Sequence, residues 1–214
     1  MESVDLMAFD LDGTLVRSGE DLAAAVNHTL QELRMPALPS ATIQGFIGDG
    51  TRMLVSRALG LRAGEWLERA MPIFSAYYSE HLLDHTILYP DVLDVLDHYR
   101  DKKKILLTNK NQQYTLKIAA GLGIDSRFLE IIGEGGTPYR KPDPRLLQMV
   151  MDRWEVTPRR TVVIGDGVND ILLAKAAGTW SCACLAGLTE REKLLSLAPD
   201  RSCETLAELK TLFD

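Results

Sequence analysis

The chain has 214 residues, enough for one substantial core, or for a core with a small accessory domain. It is 46% hydrophobic and 25% charged, as soluble globular proteins are, and no apolar run approaches the roughly 20 residues that span a bilayer. A net charge of -6 with no basic block argues against a nucleic-acid partner. The acidic start leads straight into the fold, so no signal peptide is expected and the protein is placed in the cytoplasm.

The run from Val4 to Phe9 is short and apolar, which predicts a buried strand. It ends at Asp10 and Asp12, with a Gly13-Thr14 turn to follow. Three helices come next without a strand between them. The first starts at Ser18 or Gly19, runs through Leu22, Val26, Leu30 and Leu33, and stops before Pro36. The second covers residues 40–59, its period broken at Gly45, Gly48 and Gly50; the third covers 64–85 and carries Trp66, Phe74, Tyr77 and Tyr78. A helical domain spliced into an α/β domain is therefore predicted, with residues 1–15 and 88–214 as core and 16–87 as the insert. Tyr77 and Tyr78 are expected in the core of the insert. His28, His81, His85 and His98 fall in predicted helices and receive no role.

From Pro90 onward helices alternate with short apolar strands. Helices are predicted over 90–100, 112–121, 143–154, 168–177, 190–197 and 205–213, and strands over 104–107, 128–132, 161–164 and 180–185. Such alternation gives a parallel sheet with helices on both faces, a Rossmann-like α/β fold. Cys182, Cys184 and Cys203 lack framework spacing and are expected as reduced, buried thiols. Cys182 and Cys184 alternate along the 180–185 strand and are expected on opposite faces, which argues against a shared metal.

Four predicted strand ends carry polar chemistry: Asp10 and Asp12; Thr108 and Asn109; Lys141, after the third strand's loop; Asp166 and Asp170. In a parallel sheet these carboxyl ends meet along one edge. Four carboxylates gathered there repel one another, and a hard divalent cation with oxygen ligands relieves that repulsion. Lys141 and Mg²⁺ together would leave room for an anionic group, with Thr108, Asn109 and backbone N–H groups as donors. A phosphoryl group meets these demands. A calcium loop beginning at Asp10 fails on spacing, because Leu15 stands at its sixth position and Asp21 at its twelfth.

Asp10-Leu11-Asp12-Gly13-Thr14, Thr108-Asn109, Lys141-Pro142 and Gly165-Asp166-Gly167-Val168-Asn169-Asp170 resemble the four motifs of the haloacid-dehalogenase-like hydrolase superfamily. The helical insert resembles its cap domain. Thr108-Asn109-Lys110, Lys141-Pro142-Asp143-Pro144 and Ile47-Gly48-Asp49-Gly50 resemble the phosphoglycolate-phosphatase-like members, although Gly167 stands where those often carry serine.

The resemblance implies a Mg²⁺-dependent phosphatase acting on a small phosphorylated metabolite through an aspartyl-phosphate. Asp10 would be the nucleophile, Asp12 the general acid and base, and Thr108 and Lys141 the partners of the transferring group. Asp10, Asp166, Asp170 and the backbone carbonyl of Asp12 would hold the metal. Gly13, Thr108, Asn109 and Lys141 are the expected substrate contacts. Arg52, on the glycine-broken loop, is a further one, for a substrate carboxylate or second phosphate. A pyrophosphatase, nucleotidase, sugar-phosphate phosphatase or phosphomutase would use the same core, and a phospho-accepting signalling module is the reading outside enzymes. The expected assembly is a monomer or homodimer without nucleic acid or membrane.

Overall fold

The computed structural model describes residues 3–214, so the first two positions of the expected core segment lie outside it. In chain order the elements are β1 (Leu6–Phe9), β2 (Val16–Arg17), α1 (Gly19–Glu32), α2 (Ser40–Gln44), α3 (Thr51–Leu59), α4 (Ala63–Glu80) and β3 (Ile87–Leu88). They continue with α5 (Val92–His98), β4 (Lys103–Asn111), α6 (Gln112–Gly121), β5 (Glu130–Glu134), α7 (Pro144–Trp154) and β6 (Thr161–Gly165). The chain closes with α8 (Val168–Ala177), β7 (Trp180–Cys184), α9 (Arg191–Ser196), β8 (Arg201–Cys203) and α10 (Leu209–Leu212).

Six strands form one parallel sheet in the order β5-β4-β1-β6-β7-β8. All four residues of β1 are buried, because helices cover both faces of a central parallel strand. Its side chains alternate between the two sides: Met7 and Phe9 join one apolar cluster, Leu6 and Ala8 the other. The chain runs outward from β1 through β4 to β5, then crosses to β6 on β1's other side. That reversal opens a crevice at the carboxyl ends of β1, β4 and β6, where α/β sheets bind ligands.

Local chemistry fixes the helix starts around this crevice. The Asn111 side chain accepts from the backbone N–H groups of Gln113 and Tyr114 and so caps α6. Asp143 caps α7, whose first residue is Pro144. The Asp170 carboxylate accepts from Gly167 N at 2.9 Å and closes the first turn of α8.

The inserted helices α1–α4 enter and leave through β2 and β3, which pair antiparallel with Val16 opposite Leu88 and Arg17 opposite Ile87. The expected 40–59 helix is two helices, since Gly48 (φ +120°) and Gly50 (φ +83°) turn the chain between them. The apolar cluster on the Phe9 side continues from the sheet into the insert, through Leu22, Val26, Phe74 and Tyr78. The helix expected over 64–85 is α4, which stops at Glu80 and leaves His81 at its C-cap and His85 beyond it.

Two further expectations are corrected. Cys182 and Cys184 share one face of β7, because side chains two apart along a strand point the same way; both lie in the cluster that holds Cys203. The predicted helix over 205–213 is a short 3₁₀ turn followed by α10, and it follows β8, which the hydrophobic pattern does not mark. Among the described residues no helix is long and apolar enough to cross a membrane.

Candidate active site

Asp10, Asp12, Thr108, Asn109, Lys141, Asp166 and Asp170 converge at the crevice. Asp10 follows β1 directly, and its backbone N–H donates to Ile164 O on β6 at 2.9 Å. Thr108, Asn109 and Lys110 lie where β4 breaks register with β5, between Leu107 and Asn111. Such irregularities re-aim side chains beside functional sites. Asn109 holds the loop that carries Lys141: its Oδ1 accepts from Lys141 N at 3.0 Å and its Nδ2 donates to Lys141 O at 3.1 Å.

The Lys141 ammonium is buried between two acids, 2.8 Å from Asp10 Oδ1 and 2.6 Å from Asp170 Oδ1. Burial opposes its charge, but the two carboxylates outweigh that and hold its pKa well above the ordinary lysine range.

Asp166 is held by three hydrogen bonds, two of them with Thr14. Thr14 Oγ1 donates to its Oδ1 at 2.8 Å, Leu188 N donates to its Oδ2 at 2.7 Å, and Asp166 N donates back to Thr14 Oγ1 at 3.0 Å. Gly13 and Gly187 let the backbone come this close, since a Cβ on either would sit 2.1 or 2.2 Å from Asp166 atoms. Gly13 therefore shapes the site through Asp166.

Asp10, Asp166 and Asp170 each offer an oxygen within 4.8 Å of the others. Burial, then the nearby Asp10 charge, pushes Asp166 up to about 8. Burial also raises Asp170, to about 6, with Lys141 holding it down from a higher value. Three crowded acids and one ammonium leave an excess of negative charge in a dry place. An oxygen-only donor set of three converging carboxylates fits a hard divalent cation. The Asp12 side chain stands outside this trio; Ser18 Oγ donates to its Oδ1, and Lys110 Nζ lies 3.1 and 3.2 Å from its two oxygens.

The cleft above Asp10 and Asp12 is lined by Thr108, Asn109 and Lys110 from the sheet and by Leu22, Ile47, Gly48, Gly50, Thr51 and Leu54 from the insert. Gly48 O accepts from Asn109 Nδ2 and from Asn169 Nδ2, both at 3.2 Å, and Asp49 Oδ1 accepts from Asn169 Nδ2 at 2.7 Å. The glycine-broken loop thus touches both β4 and the start of α8. Arg52 is not brought to the cleft. It is exposed and pairs with Glu68 on α4.

Lys110 and Tyr78 are the residues that reasoning from sequence left without a role. Lys110 Nζ donates to Tyr78 OH at 2.7 Å, and both side chains are buried. A lysine at the end of an apolar strand, beside two polar motif residues, is the signal that could have pointed there. Nothing in the helical pattern of 64–85 distinguished the Tyr78 hydroxyl from the rest of an apolar face.

A family model described as haloacid dehalogenase-like hydrolase matches residues 4–178. A protein named phosphoglycolate phosphatase from Haemophilus influenzae is 33% identical over 97% of this chain and 97% of its own length. Another of that name, from Colwellia psychrerythraea, is 35% identical over 98% and 96%. Among solved structures, a predicted phosphoglycolate phosphatase from Haemophilus somnus superposes with a TM-score of 0.91 at 27% identity, over 98% of this chain and 97% of that one. A haloacid dehalogenase-like hydrolase from Streptococcus pneumoniae gives 0.89 at 26%, over 99% of both.

Proposed function

The chain belongs to the haloacid dehalogenase-like hydrolase family, and on that premise we propose that it is a Mg²⁺-dependent phosphatase for a small phosphomonoester of the phosphoglycolate type. The observation that carries the reading is the buried convergence of Asp10, Asp166 and Asp170, with the Lys141 ammonium against Asp10 and Asp170.

In this reading Asp10 attacks phosphorus and forms an aspartyl-phosphate, which divides a slow hydrolysis into two easier steps. Asp12 gives a proton to the departing alkoxide, then takes one from the water that cleaves the acyl-phosphate. Lys141 balances charge on Asp10 and on the transferring group, and Thr108 donates to a phosphoryl oxygen. Asp10, Asp166 and Asp170, with the Asp12 carbonyl, would hold Mg²⁺, whose charge would offset the acids and polarise the phosphoryl oxygens.

Residues 16–87 act as a cap over this site, with β2 and β3 as its hinge and the loop of residues 45–50 as its floor. Closure excludes water from the acyl-phosphate until the leaving group has gone. Glycolate is small enough for a cleft roofed this closely by Ile47, Gly48 and Leu54. We place the protein in the cytoplasm, as a monomer or homodimer.

The test is phosphate release by the purified protein from a panel of phosphorylated metabolites, with Mg²⁺ and with excess chelator. Turnover of phosphoglycolate that requires the metal is expected. Absence of turnover across the panel would overturn the reading.

A further inference from the structure

Asp12 differs from the other site acids in what holds it. Asp166 and Asp170 are fixed from the loops and helix of the sheet domain, by Thr14, Leu188 and Gly167, and by Lys141. The Asp12 carboxylate is fixed by Ser18, which begins the insert, and by Lys110 at the end of β4. Lys110 is in turn fixed by Tyr78 of α4. An ammonium has three N–H donors. Here three acceptors surround it: both oxygens of Asp12 at 3.1 and 3.2 Å, and Tyr78 OH at 2.7 Å.

A lysine this deeply buried (5% exposed) is retained only with partners that offset its desolvation. A buried ion pair adds little stability over apolar side chains of the same volume, so packing alone gives no reason for it. Its geometry does give one. Tyr78 is itself wedged between Phe74, at 5.3 Å and 36°, and Tyr114, edge-on at 5.2 Å, so its hydroxyl position follows the seating of α4 against β4 and α6.

We infer that Lys110 and Tyr78 are positioning residues for Asp12, which join the seating of α4 to the orientation of the Asp12 carboxylate. The inference rests on the phosphatase reading, in which Asp12 serves the leaving oxygen. It assigns neither residue a contact with the reacting atoms. With α4 seated, Tyr78 holds the ammonium and the ammonium holds both carboxylate oxygens. Without the hydroxyl, Lys110 loses one of three anchors and Asp12 turns more freely.

Two substrates of one enzyme separate positioning from general damage. An alkyl phosphate such as phosphoglycolate needs a proton on its leaving oxygen, whereas p-nitrophenyl phosphate releases a stable phenolate without one. For Lys110→Met, kcat on phosphoglycolate should fall by about 10²-fold, the lower end of general acid contributions. The ratio of kcat/KM on the alkyl ester to kcat/KM on the aryl ester, which reports the step that expels the leaving oxygen, should fall with it. Lys110→Arg should restore part of that ratio. Tyr78→Phe keeps the ring packing and should lower the ratio in the same direction, by less, with KM little changed. It decides the matter if Lys110→Met does not fold. Equal losses of kcat/KM on both esters, or a rise in KM at constant kcat, would overturn the inference while leaving the phosphatase reading intact. Wild-type protein that cleaves neither ester would overturn both.

Discussion

Asn109 grips the backbone of Lys141 from both directions, accepting from its N–H at 3.0 Å and donating to its carbonyl at 3.1 Å. One amide side chain at the end of β4 thereby sets where the ammonium sits between Asp10 and Asp170. Asn109→Ala should cost kcat on the order of 10²-fold, the penalty for a misplacement of about 1 Å at a reacting centre. Steady-state kinetics beside an unchanged circular dichroism spectrum will check it. Wild-type kcat in a folded variant would reduce Asn109 to a loop fastener.

The Asp10 carboxylate is crowded by those of Asp166 and Asp170. Asp10→Asn should drop turnover by about 10³-fold or more, as the loss of a nucleophile does. Rapid quench with a labelled phosphomonoester should trap phosphate on the parent protein and none on the variant.

Metal binding should be visible without catalysis. At 100 times its dissociation constant, a ligand that binds only the folded state adds about 2.7 kcal/mol. Mg²⁺ should therefore raise the melting temperature of the parent protein, and of Asp166→Asn far less, since that change removes a charge from the trio. An equal rise in both proteins would move the metal away from Asp166.

Asp21, near the start of α1, ties the insert's beginning to its end. Thr86 Oγ1 and Thr86 N donate to it at 2.7 and 2.8 Å, and His85 N at 3.0 Å. Burial would raise its pKa, but the donations from Thr86 and His85 outweigh this and hold it below the ordinary aspartate value. A depressed folded pKa gives stability that is present above the unfolded value and lost as pH falls through the folded one. Asp21→Asn should destabilise the protein by about 1–3 kcal/mol at neutral pH. The gap between variant and parent should narrow in acid, below the usual aspartate range. Denaturant titrations at neutral and acid pH will test this, and a gap that stays constant would contradict it.

Arg52 is exposed beside Glu68 and outside the cleft. Arg52→Ala should leave KM for phosphoglycolate and the melting temperature as they are, because exposed pairs on flexible side chains contribute little. A selective rise in KM for the anionic substrate would return Arg52 to the site.

The sheet and the meeting of the four motifs were legible because both are local. Apolar runs of four or five residues such as Leu6–Phe9 and Thr161–Gly165 have one way to be buried, and the polar residue after each falls at the carboxyl end. The insert was legible as three helical patterns without a strand. Its split at Gly48 and Gly50 showed only as a broken period. The three-residue strand β8 was not legible, because so short a segment pairs through its backbone with β7 and carries almost no pattern.

By itself the sequence determined the parallel α/β core and the acids at its strand ends, which short-range periodicity encodes, and its four motifs resembled those of the family that it belongs to. Which side chains complete the site was decided by the tertiary structure. Lys110 met Tyr78 across 32 positions of chain, Thr14 met Asp166 across 152, and Arg52 turned to Glu68 instead of the cleft. Such pairings depend on how helices seat against a sheet, and seating is set by the packing of the whole apolar cluster rather than by any one segment's pattern.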